Sequence, residues 1–81
     1  MALQPSERFA KALAAVLKEA RENAGLSQKK LAALSGVGRT GIVTIEAGQR
    51  LPSIWLCKML ADGLNVPLGA LMDKVEKRLK H

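Results

Sequence analysis

Helix-breaking residues recur at short, even intervals along this chain, and no regular element can run far between them. Gly25, Gly36, Gly48, Pro52 and Asn65-Val66-Pro67 divide it into five pieces. Within each piece apolar residues return with a helical period, as Phe9, Leu13, Val16, Leu17 and Ala20 do in the first. The hydrophobic fraction of 48% comes mostly from alanine and leucine, aromatics are 2% and tyrosine is absent, so helix formers outweigh strand formers. The pattern predicts an all-α domain of five helices over about 6–23, 28–34, 39–47, 53–64 and 68–80. Ser6 and Ser27 are expected as N-caps, Gly25 as a left-handed stop, and Pro67 in the first turn of the last helix. Leu13, Leu17, Leu31, Ile42, Ile45, Leu56, Leu60 and Leu64 make the expected core, with Leu34 and Met59 also facing inward.

A chain of 81 residues has room for one small domain, read as 1–81, and not for a two-domain or barrel enzyme. Thirteen basic residues against seven acidic give a net charge of +6, which admits nucleic acid, an anionic membrane or an acidic protein as partner. The excess is localised. Residues 26–58 hold Lys29, Lys30, Arg39, Arg50 and Lys58 against Glu46 alone, while the two flanking segments are each nearly balanced. Such a block gives salt-dependent affinity for phosphates. A membrane-surface bundle would need an aromatic apolar face, and one Trp and one Phe do not supply it. Lys74, Lys77, Arg78 and Lys80 suit the solvated C-terminal end of the last helix.

Cys57 is the only cysteine, so no intrachain disulfide or four-ligand zinc site is expected, in keeping with a reducing cytoplasmic setting. Cys57 and Trp55 are both expected in or at the edge of the core, with a dimer interface or the DNA backbone as the other reading of Trp55. The apolar run 12–17 is too short for a signal sequence or a membrane span. His81, the only imidazole, is terminal and expected to be disordered, and no nucleophile system is in sight. The expectation is therefore a non-enzyme with no cofactor, no metal and no small-molecule ligand.

Residues 27–47 read as a short helix, a tight turn and a second short helix. Ala32 is small where two helices must approach. Gly36 can take a left-handed turn, Val37 can plug the angle, and Ile42 and Ile45 can anchor the second helix. Arg39, Thr40, Val43 and Thr44 are then left facing outward. This is the geometry of a helix-turn-helix, whose second helix enters a major groove. Gly36-x-Gly38-x-x-Gly41 also spells a dinucleotide-binding fingerprint, with Asp62 at a suitable distance. That motif needs a preceding strand, and residues 30–34 read as helix instead.

Gln28-x-x-Leu31-Ala32, Gly36-Val37, Ile42-x-x-Ile45-Glu46-x-Gly48, Arg50-x-Pro52 and Ala61-x-x-Leu64-x-Val66 together resemble the Cro and lambda-repressor type of helix-turn-helix domain over about residues 17–72. Arg39-Thr40, Arg21, Arg50, the length and the charged last helix look like the small controller proteins of restriction–modification systems. The resemblance implies base contacts from Arg39, Thr40, Val43 and Thr44, and phosphate contacts from Gln28, Lys29 and Arg50. It also implies a structural ion pair between Arg21 and Glu46. Gly38 departs from the usual Ser or Thr cap, and Val43 from a frequent Ser. Gly41 inside the second helix carries a local cost of about 1 kcal/mol relative to alanine.

One recognition helix reads only a few base pairs, and members of this family usually dimerise. A homodimer on double-stranded DNA is therefore expected, built on a dimerisation helix at about 67–80 through Leu68, Leu71, Met72 and Val75. The implied function is a sequence-specific transcriptional regulator binding a near-palindromic operator, controlling restriction–modification genes. A phage or plasmid repressor, or an antitoxin-type interaction module, stays open as an alternative on the same scaffold.

Overall fold

Each break in the sequence ends a helix, and the local chemistry of each end is visible. The computed structural model describes residues 2–80, so the expectation for His81 lies outside it. Helix α1 spans Pro5–Asn23. Its cap is Gln4, not Ser6: the fixed φ of Pro5 suits the first helical position, so the helix starts before the serine. The Gln4 backbone N–H donates to Glu7 Oε1 at 3.1 Å. At the other end Gly25 takes a φ of +71°, and the Leu26 N–H closes onto the Arg21 carbonyl at 3.1 Å.

Helix α2 spans Gln28–Ser35, with Ser27 Oγ accepting the Lys30 N–H at 3.0 Å. Helix α3 spans Arg39–Glu46. Helix α4 spans Ile54–Leu64, with Ser53 Oγ accepting the Leu56 N–H at 3.1 Å and Asn65 ending it in the left-handed region. Helix α5 spans Leu68–Leu79, with Pro67 as its cap rather than inside its first turn. No strand occurs among the described residues.

Helix α1 packs against α3 and α5, α2 packs against α3 and α4, and α4 meets α5. The seven largest sealed side chains come from all five helices: Leu13, Leu17, Leu31, Ile42, Ile45, Leu60 and Val75. Each such burial contributes roughly 1.5–3 kcal/mol. The radius of gyration, 11.9 Å, is that of a close-packed chain of this length, for which ~12 Å is expected. Among the described residues no helix is long and apolar enough to cross a membrane.

Several inward assignments need correction. Leu34 is exposed, because the short α2 buries fully only Leu31 and leaves Leu34 beyond its packed face. Leu56 and Met59 are half-buried. Trp55 is 66% exposed, not core. It shares a helix face with Lys58 and Asp62, which form a solvated ion pair at 2.7 Å, while Cys57, Leu60, Ala61 and Leu64 form the buried stripe. Cys57 is a buried small hydrophobe, as expected.

The dimer residues also need correction. Leu71 and Val75 are 2% and 0% exposed within a single chain, because α5 lies along α1 and turns them into the core. They are unavailable to a partner. Leu68 and Met72 are half-buried against the same core.

Candidate nucleic-acid interface

The turn between α2 and α3 is built as its residue types require. Gly36 adopts φ +79°, where a Cβ would be strained. Val37 is buried between the helices, and its N–H donates to Ser35 Oγ at 3.1 Å. Gly38 caps α3 with extended backbone and no side-chain acceptor, so the capping serine or threonine has no substitute here. Ile42 and Ile45 then fix α3 to the core, and the angular spacing of a helix does the rest.

Arg39, Thr40 and Val43 stand exposed on the outer side of α3. No acidic side chain pairs with Arg39 among the described residues, so its forked donor set is free. Thr44 is half-buried, and its hydroxyl lies 3.0 Å from the Gly41 carbonyl and 3.2 Å from the Thr40 carbonyl. Its proton is thus engaged within the helix, leaving a methyl and lone pairs to face outward. Val43 offers only its methyl groups.

Behind α3 lies a polar buttress. Arg21 Nε donates to Glu46 Oε2 at 2.7 Å, and Nη2 to Oε1 at 3.0 Å. Arg21 Nη1 reaches the Leu26 carbonyl at 2.8 Å, and Gln28 Nε2 donates to Glu46 Oε1 at 3.2 Å. One carboxylate thereby ties the end of α3 to α1, and also to the start of α2. Its hydrogen bonds to the Glu46 carboxylate hold the Arg21 guanidinium above its ordinary pKa. Gln28, expected at a phosphate, is turned partly inward by this network, with one amide N–H committed to Glu46. Lys29 and Arg50 are exposed at the two ends of the motif.

The fingerprint-like glycines Gly36, Gly38 and Gly41 follow a helix, not a strand, so the dinucleotide motif has no scaffold. Among the described residues no cluster of His, Cys, Asp or Glu has the makings of a metal site. Sequence reasoning missed one surface. Leu51, Ile54 and Trp55 are 52%, 66% and 66% exposed, and the first two border an apolar groove with Phe9, Leu13, Pro52 and Met72. The polar company of Trp55 along α4 was the available signal.

Comparison with known proteins agrees with this geometry. The profile of the helix-turn-helix family matches residues 17–71. An uncharacterized HTH-type transcriptional regulator of Haemophilus influenzae is 41% identical over 71 residues, covering 83% of this chain and 67% of the relative. Among solved structures, the restriction–modification controller protein C.AhdI of Aeromonas hydrophila is 35% identical, with a TM-score of 0.74 over 76% of this chain and 94% of its own. The controller protein C.Esp1396I, solved as a tetramer with its natural 35 base-pair operator, is 26% identical with a TM-score of 0.83, covering 90% of this chain and 96% of its own. With the turn, the anchored second helix and the Arg21–Glu46 buttress all in one compact unit, the chain belongs to the helix-turn-helix family of transcriptional regulators.

Proposed function

We propose that this protein regulates transcription by binding a near-palindromic operator as a homodimer, with restriction–modification genes as its targets. The observation that carries this reading is the division of α3: Ile42 and Ile45 are buried, while Arg39, Thr40 and Val43 project from the opposite side. Arg39 is the base reader, suited to the O6 and N7 of guanine, and Thr40, Val43 and Thr44 add methyl contacts to thymine. Lys29, Arg50 and the uncommitted amide N–H of Gln28 take backbone phosphates. It works as a binder with no catalytic role and no small-molecule ligand, on cytoplasmic DNA.

Dimerisation is assigned to the exposed Leu51, Ile54 and Trp55 with the neighbouring Met72, in place of Leu71 and Val75. Leu51, Ile54 and Met72 share one apolar groove, Trp55 follows Ile54 on the exposed start of α4, and exposed apolar clusters often mark interaction sites. The tetrameric operator complex of C.Esp1396I supports an assembling partner of the same kind. The half-sites of such a dimer lie roughly 34 Å apart.

Selection of bound duplexes from a random pool tests the reading and identifies the site. Arg39→Ala should then lower affinity for that site by about 1–3 kcal/mol while sparing random DNA, whereas Arg50→Ala should weaken both and flatten the salt slope by about one. An unchanged ratio of specific to random binding in Arg39→Ala would refute the recognition-helix assignment. Sedimentation of Trp55→Ser should show monomer where the parent protein shows dimer; a parent that stays monomeric even on DNA would end the dimer proposal.

A further inference from the structure

Gly41 sits in the middle of α3 with an ordinary helical backbone, since it is absent from the residues of positive φ. Its conformation therefore gives no reason for glycine, and glycine is an inferior helix former there. The reason lies in space. A Cβ on Gly41 would stand 3.2 Å from Nη1 of Arg50 and 3.7 Å from Cγ1 of Val37. Arg50 comes from the segment after α3, and its guanidinium lies against the helix at Gly41 while the residue stays exposed. No acidic side chain holds it there among the described residues. The space a side chain at 41 would fill is the space its guanidinium approaches, with Val37 on the other side of the same position.

We propose that Gly41 is a positioning residue: its missing Cβ seats the Arg50 guanidinium on the flank of the recognition helix, ready for the DNA backbone. This rests on the DNA-binding function proposed above and adds to it a reason for the glycine. A charged side chain held near its bound position loses less freedom on binding than one that must be gathered from solvent. The arrangement exchanges some helix stability for affinity. Alanine at 41 would not break the fold, because the atom it meets is the far end of a flexible, exposed side chain. It would push the Arg50 guanidinium off the helix flank by at least a few tenths of an ångström.

The test compares the parent protein with Gly41→Ala, Arg50→Ala and the double variant. Each is melted alone, and each is titrated with the selected duplex and a random duplex across a salt series. Gly41→Ala should melt about 4–8 °C higher and bind the selected duplex about tenfold more weakly, with faster dissociation. In the Arg50→Ala background the same substitution should raise the melting temperature equally but change affinity by less than about twofold, as expected for two residues acting through one contact. Gly41→Ala binding as tightly as the parent, or weakening both backgrounds alike, overturns the seating role while leaving the DNA-binding reading intact. A parent protein that selects no sequence overturns both.

Discussion

Glu46 is the polar side chain that ties the end of α3 to α1 and α2, and its removal should be costly. Its carboxylate and the Arg21 guanidinium are 5% and 12% exposed, and they share two hydrogen bonds of 2.7 and 3.0 Å. Charge-assisted bonds contribute about 1.5–3 kcal/mol each. Glu46→Ala removes both, strands the Gln28 amide, and leaves Arg21 with only the Leu26 carbonyl. Relief of the carboxylate's own desolvation, and water reaching the partly open guanidinium, offset some of this. The net loss should be about 3 kcal/mol, at the lower edge of the range for breaking a buried pair.

For a domain of this size that corresponds to a fall in melting temperature of roughly 12–24 °C. Urea unfolding followed by helical circular dichroism measures it directly, and an unchanged denaturant slope would show that the loss is in the native state. Glu46→Gln keeps the shape and part of the bonding and should lie between. A loss below about 1 kcal/mol for Glu46→Ala would equal that of a solvent-exposed pair and refute the reasoning. The pH dependence has a definite sign. Glu46 raises the Arg21 pKa, so the contribution is full below arginine's ordinary value and should not decline between neutral and mildly alkaline pH.

Gly63→Ala should destabilise by about 1–3 kcal/mol in the same urea assay, because its Cβ would lie 2.8 Å from Ser35 Cβ and 3.0 Å from Ser35 Cα, where backbone cannot give way. Burial pushes the Cys57 thiol pKa up, so the folded state favours the neutral thiol; stability should fall as pH rises through the usual thiol range, and Cys57→Ala should lose that component. The same burial predicts that iodoacetamide labels Cys57 only after unfolding, read by intact mass. Lys58→Ala, which opens an exposed i,i+4 pair, should change stability by less than about 0.5 kcal/mol in thermal melts.

Where local chemistry decided the outcome, the sequence was a sufficient guide. Ser27 caps the helix that follows it, though Ser6 does not, Gly25 and Gly36 take left-handed backbone, and Ile42 and Ile45 are buried one turn apart. What depended on how helices meet in space was less legible. The apolar stripe of α5 was taken for a partner surface, but Leu71 and Val75 face α1 of the same chain, and periodicity alone does not distinguish the two. Trp55 was expected in or at the edge of the core, as a lone Trp on an amphipathic helix usually is, although its neighbours at helical spacing, Lys58 and Asp62, marked a solvent-facing side. The Arg21–Glu46 pair followed from family resemblance, not from any local pattern, since its partners lie far apart in the chain. The Gly41–Arg50 juxtaposition needed the fold itself.

The two-sided construction of α3 has an evolutionary consequence. Arg39, Thr40 and Val43 are exposed while Ile42 and Ile45 are buried, so the outer side chains can change with little effect on the packed side of the helix. On the proposed reading of α3, new operator preferences arise by exchange of a few outer side chains while folding remains as it was. Selection acting on what the protein recognises is largely decoupled from selection acting on whether it survives in the cell.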